Sequence, residues 1–122
     1  MSQQEQTLNQ QLLSVMDSYA GRTCFKVKQG RRYQNISYHR CQHMVFKMAR
    51  FFSSQGIRKG ERVAIVAENS LEWMVTYLAC LLSGGVAVPL RTSLATETLH
   101  HVLKDSGARI VVLEDQKYIQ FV

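Results

Sequence analysis

The chain has no apolar run long enough to cross a bilayer. Its longest mostly apolar stretch, residues 73–82, is about half the ~20 residues a spanning helix needs. Its Gln-rich start has no hydrophobic signal region, so no secretory leader is expected. It has only three cysteines, Cys24, Cys41 and Cys80, an odd number set far apart in sequence. That usage predicts a reducing compartment and no disulfide framework, with the cytoplasm as the expected location. Internal repeats, low-complexity tracts and linkers are absent, so the 122 residues are expected to form a single domain. Acidic residues are scarce in the first half. Residues 1–62 hold eleven Lys/Arg against three Asp/Glu, and residues 63–122 four against six, for a net charge of +6. A basic half raises the question of nucleic acid or anionic membrane.

What is present suits an ordinary globular chain, 46% hydrophobic and 20% charged. A chain of this size buries roughly two thirds of its unfolded surface, enough for a core. Three short Val/Ile-rich runs, residues 63–67, 86–88 and 110–113, are apolar without alternation and bounded by Gly, Asn, Ser or Pro. They read as buried parallel strands. Two helix-length segments separate them. The order is βαβαβ, an open α/β sheet.

The first of these helices, residues 71–82, is apolar nearly all round. Leu71, Met74, Leu78, Leu81 and Leu82 centre the arc, and only Glu72, Thr76 and Ser83 make a polar stripe. Such a helix is buried on more than one side. Asn69 is the expected cap, with Glu72 three residues on in a capping-box arrangement. Gly84-Gly85 ends it. The second helix, residues 96–106, places Leu99, Val102, Leu103 and Ser106 on one face, and Gly107 closes it.

Before this core, residues 1–6 are polar and expected to be frayed. Thr7 is the expected cap of a helix to about Tyr19, with Leu8, Leu12, Val15, Met16 and Tyr19 on one face. Residues 24–28 and 33–37 read as a hairpin around a turn at residues 29–32. Ser37 is the expected cap of a helix to about Ser54. Its apolar stripe is Tyr38, Cys41, Val45, Met48, Ala49 and Phe52, and His39, His43, Lys47 and Arg50 lie opposite.

Several residues invite sharper readings. His39 and His43 have metal-site spacing, but no third ligand stands nearby, so the pair reads as a solvated face. Of the adjacent His100 and His101, one is expected in solvent and one at the helix flank. The basic stripe, with Arg31-Arg32 and Arg58-Lys59, has no nucleic-acid motif and reads as solvated, with anionic lipid as the minority reading. Gly84-Gly85 fits neither a Walker loop nor a dinucleotide turn, since it follows a helix and precedes a strand. Cys80 has no base beside it in sequence and reads as packing, as does Trp73.

The segments GIRKGERVAIVAENSLEW (56–73), LLSGGVAVPLRTS (81–93) and HVLKDSGARIVVLED (101–115), with ISYHRC (36–41), resemble the N-terminal part of adenylate-forming enzymes. These include acyl-CoA synthetases, aryl-CoA ligases and peptide-synthetase adenylation domains. The resemblance runs from about Leu8 to Leu113. Glu72-Trp73 and the Pro89-Leu90-x-Thr92 turn are most similar to long-chain fatty acyl-CoA synthetases. Ala95, where relatives often carry a Thr or Ser cap, and Arg91 depart from the pattern, and Thr96 is the expected substitute cap.

The resemblance implies an ATP- and Mg²⁺-dependent activation of a carboxylate to an acyl-adenylate, then transfer to the thiol of coenzyme A or of a carrier protein. The family's phosphate loop, ribose-binding Asp and mobile lysine lie downstream of the matching region. No catalytic, cofactor-binding or metal residue is therefore carried over, and Tyr38, Gly60, Asn69, Trp73, Gly84, Pro89 and Ser106 read as scaffold. The expected identity is the incomplete N-terminal portion of an adenylation domain, inactive alone. Its expected partner is the downstream part of the enzyme, and self-association and weak peripheral membrane contact are further expectations. The competing class is a non-catalytic interaction module whose basic face contacts anionic lipid or nucleic acid.

Overall fold

The computed structural model describes residues 8–113. The fraying of residues 1–6 and the cap at Thr7 lie outside these residues. Contacts divide the chain into two compact units between Lys47 and Met48. The described elements comprise four helices, a hairpin and a three-stranded parallel sheet, an α/β arrangement.

The first unit begins with α1 (Leu8–Ser18). Met16 is its buried anchor, whereas Val15 and Tyr19, assigned to the same face from sequence, are exposed. Tyr19 lies just past the helix, where its ring takes the Arg22 guanidinium at 4.9 Å. β1 (Thr23–Gln29) and β2 (Arg32–Ser37) pair antiparallel from Thr23↔Ser37 to Gln29↔Arg32, leaving a two-residue turn at Gly30-Arg31. α2 (Tyr38–Ser54) begins at once. The Ser37 hydroxyl accepts from the Arg40 N–H at 3.1 Å, the expected cap. Cys41, Val45 and Phe52 are fully buried, and His39, His43, Lys47 and Arg50 are exposed, so the two faces separate as the periodicity predicts.

The second unit holds β3 (Arg62–Val66), α3 (Leu71–Leu82), β4 (Val86–Leu90), α4 (Thr96–Ser106) and β5 (Ile110–Leu113). The strand order is β4-β3-β5, all parallel. β4 runs past its apolar core through Pro89, which lies opposite Ile65. Proline gives no ladder N–H, and its tolerance here follows from the edge position of β4.

Val63, Ala64, Ile65 and Val66 are all at most 1% exposed. Alternate residues of a strand point to opposite faces, so β3 must be covered on both sides. On one face Ala64, Val66 and Leu90 pack with Leu99 of α4, and Val102 and Leu103 flank them. On the other, α3 buries Val75, Thr76, Ala79 and Cys80. The arc centred on Leu71, Met74, Leu78, Leu81 and Leu82 is instead only half-buried. Apolarity nearly all round the helix gave no direction, and the sheet selected the smaller side chains, which let the helix approach closely. Thr76, assigned to a polar stripe, is buried with its hydroxyl donating to the Glu72 carbonyl at 2.8 Å.

The N-terminus of α3 also departs from the expected pattern. The cap is Ser70, not Asn69. Its backbone is extended and its hydroxyl accepts from the Trp73 N–H at 3.1 Å. Glu72 thus falls one place too early for a capping box, though its charge still suits the helix N-terminus. At α4 the cap position is Ala95, with no side-chain bond, and Thr96 is the first helical residue rather than the cap. His100 and His101 are both exposed, correcting the expectation that one packs at the flank, and His101 Nε2 lies 3.0 Å from Asp105.

Candidate functional site

In an open parallel sheet, ligands bind beyond the carboxyl ends of the strands, where the chain reverses its direction across the sheet. Here β4 lies on one side of β3 and β5 on the other, so that point falls between β3 and β5. A depression of about 340 Å³ opens there, lined by Ile65, Ala67, Ser70, Glu72, Trp73, Thr76, Val112 and Leu113. β3 and β5 supply its floor and the first turn and a half of α3 its wall. Trp73 is half-buried and stacks on Tyr77, one helical turn on, with ring centres 5.2 Å apart and planes 12° from parallel.

The lining is mainly apolar, and its two hydroxyls make local bonds in the first turns of α3. The Ser70 hydroxyl holds the Trp73 N–H, and the Thr76 hydroxyl holds the Glu72 carbonyl. Glu72 brings negative charge, and among the described residues no Lys or Arg lines the space. This donor set does not fit a nucleotide triphosphate, which needs cations and free N–H or O–H donors at its phosphates. Among the described residues, no group of three or more His, Cys, Asp or Glu is placed to hold a metal ion, and no helix is long and apolar enough to cross a membrane.

The scaffold residues singled out from sequence fall in three places. Tyr38 opens α2, its N–H donating to the Arg22 carbonyl at 2.9 Å and its ring 6.2 Å from that of Tyr19. Gly60, Gly84 and Ser106 gather at the amino ends of the strands. The Gly60 N–H donates to the Gly84 carbonyl at 2.9 Å, and the Ser106 carbonyl accepts from Arg62 Nε. Asn69 and Trp73 stand at the carboxyl end of β3, and Pro89 is an exposed residue of β4.

Sequence reasoning missed the polar clamp at the amino end. Arg109 Nη1 binds Glu61 at 3.0 Å and the Gly56 carbonyl at 2.6 Å, and Nη2 reaches the Gln55 carbonyl at 3.1 Å. One guanidinium thus ties the end of α2 to the entries of β3 and β5. The Arg58 N–H, donating to Glu61 at 2.7 Å, with Arg109 beside it, holds the Glu61 carboxyl below its ordinary range. Cys80 is fully buried and burial pushes its thiol up, so it packs and does not attack.

With this geometry in hand, comparison with known proteins defines the class. Residues 14–121 match the family model "AMP-binding enzyme". The chain belongs to this family of adenylate-forming, ATP-dependent enzymes. Among curated relatives, it is 28% identical over 114 residues to the long-chain-fatty-acid–CoA ligase ACSBG2 of Xenopus laevis, covering 93% of this chain and 15% of that protein. The mouse (Mus musculus) ligase ACSBG1 is 24% identical over 119 residues, covering 98% of this chain and 16% of that protein. Among solved structures, the Klebsiella oxytoca NpsA N-terminal subdomain superposes with TM-score 0.80 at 22% identity, over 92% of this chain and 28% of that one. ATP-bound MatB from Rhodopseudomonas palustris gives TM-score 0.73 at 26% identity, over 90% and 22%. The chain thus spans about a sixth of the length of these curated relatives.

Proposed function

We propose that this chain is the N-terminal scaffold of an acyl-CoA synthetase that activates a long-chain fatty acid with ATP and Mg²⁺ and passes the acyl group to coenzyme A. The observation that carries the reading is the match of residues 14–121 to the family, with the fold agreement at TM-score 0.80 in support. The long-chain substrate rests on the likeness to long-chain-fatty-acid–CoA ligases. The described residues supply position and not chemistry. Gly60 with Gly84, Arg62 with Ser106, and Arg109 with Glu61 lock the strand entries, and this holds the carboxyl ends and the Trp73 depression in place for catalytic elements from the rest of the enzyme.

The test is a graft. Residues 8–113 replace the matching segment of a long-chain fatty acyl-CoA synthetase, and palmitate-dependent AMP release is measured. An active chimaera is expected, while the isolated chain gives no fatty-acid-dependent ATP–pyrophosphate exchange. A folded but inactive chimaera, or exchange by the chain alone, rejects the reading.

One observation favours a second reading, a membrane-contacting module. At about 100° per residue, His39, Arg40, His43, Lys47 and Arg50 fill one exposed arc of α2 that contains no acidic residue, and the exposed Phe46 and Phe51 border it. Binding to phosphatidylserine vesicles should then be lost on neutral vesicles and at high salt.

A further inference from the structure

The β1–β2 hairpin sorts its residues onto two faces of different chemistry. Paired residues of an antiparallel ladder share a face, and neighbours along a strand alternate between faces. Phe25 lies opposite Ile36 and Val27 opposite Gln34, and these four are half-buried or buried. Lys26 lies opposite Asn35 and Lys28 opposite Tyr33, and these four are exposed. The turn beside them carries Arg31 and Arg32, both exposed. No Asp or Glu occurs between residues 18 and 60, a span that holds ten Lys/Arg. Among the described residues, the ion pairs are His101–Asp105 and Arg109–Glu61, so the hairpin's cations face no carboxylate. Tyr33 is 64% exposed, more than any other large hydrophobic side chain among the described residues.

We propose that this outer face, formed by Lys26, Lys28, Tyr33 and Asn35 with the Arg31-Arg32 turn, seats the chain on an anionic phospholipid bilayer. It is made of different residues from the exposed arc of α2. Lys26 and Lys28 stand two residues apart, about 7 Å along the strand, and bring two ammonium groups to one headgroup layer. Tyr33 adds an apolar ring that ends in a hydroxyl, and such rings collect at the boundary between headgroups and acyl chains. The Asn35 amide supplies a donor and an acceptor beside them.

Charge complementarity selects a polyanion, and the rest of the face selects among polyanions. Single-stranded nucleic acid is held by successive aromatic platforms along a basic groove, and this face offers one ring. The choice of a bilayer also rests on the proposed synthetase activity, because a long-chain fatty acid partitions into membranes. The simpler account is a solvated ribbon on which Tyr33 serves strand propensity alone, and it predicts no binding that depends on these residues.

The test is co-sedimentation of the full chain with vesicles of phosphatidylserine and phosphatidylcholine. Binding is expected in about 0.1 M salt. It should be lost on phosphatidylcholine alone and in about 1 M salt, where the screening length falls from about 10 to about 3 Å. Each lysine near an anionic leaflet adds about fivefold in affinity, so Lys26→Gln with Lys28→Gln should weaken binding about 30-fold. Removing two charges from α2 instead, by Lys47→Gln with Arg50→Gln, should cost less. In a Trp73→Phe chain, the emission of Tyr33→Trp should be quenched by lipids with a nitroxide at the headgroup, a readout that leaves the lysines in place. Equal weakening by the two charge pairs, absence of quenching, or tighter binding to oligothymidylate than to the vesicles overturns the proposal. Co-sedimentation reads lipid contact alone and the graft reads AMP release, so the docking surface and the synthetase reading can each fail without the other.

Discussion

Two adjacent glycines at the end of α3 serve different physical needs. Gly84 has φ +81°, its N–H donates to the Leu81 carbonyl, and the Gly85 N–H donates to the Cys80 carbonyl at 3.0 Å. That is a Schellman C-cap, which needs a residue without a Cβ penalty in the left-handed region. Gly85 is needed for space. A Cβ there would sit 3.0 Å from Cys80 Sγ and 3.3 Å from the Glu61 carbonyl oxygen. That oxygen already accepts from the Val86 N–H at 2.8 Å, so it cannot withdraw freely. Gly85→Ala should therefore destabilise by about 1–3 kcal/mol in urea unfolding, as overpacking does. The Glu61 carboxyl makes a second residue-scale case. Its folded value lies below the ordinary 4.5, so its contribution is present above that pH and is lost as pH falls through the lowered folded value. Thermal melts of Glu61→Gln should lie below the parent at pH 7 and converge with it in acid.

At the scale of elements, the two core helices invite opposite changes. α3 is capped by Ser70, whose hydroxyl holds the Trp73 N–H, so Ser70→Ala should cost about 1 kcal/mol. α4 starts from Ala95 at φ −60°, ψ 146°, an extended cap geometry without a side-chain acceptor. Ala95→Asp should add about 1 kcal/mol, through a cap bond and a negative charge at the helix N-terminus. Calorimetric melting of the two variants checks both signs. Pattern reading recovered the bounds of α2, α3, α4 and β5, because periodicity and punctuation agree in those segments. It misplaced the α3 cap because Asn69 and Ser70 are both competent acceptors, and only the backbone path selects one.

At the scale of the molecule, the parallel sheet leaves open positions. Among the described residues, neither outer edge of β4-β3-β5 is paired with another strand. Val86 on β4 is 47% exposed, and the mostly apolar depression lies beside β5. Open strand edges and exposed apolar surface promote association. Gel filtration with light scattering should show the purified chain as oligomers, dispersed by mild denaturant before the helices melt. A monodisperse monomer with a sharp, high and reversible melt would argue instead for an independently stable module.

Local pattern determined much of this protein. Short apolar runs between turn residues specified three parallel strands, a 3.6-residue period specified the faces of α2 and α4, and motif order specified the family. These properties are carried by neighbours in the chain. Tertiary structure alone decided the rest. The face of α3 that meets the sheet depends on which side chains allow close approach. The Arg109–Glu61 clamp joins residues 48 apart in sequence. The depression exists only because β5 lies on the far side of β3 from β4, a choice of strand order that no local pattern of charge or hydrophobicity encodes.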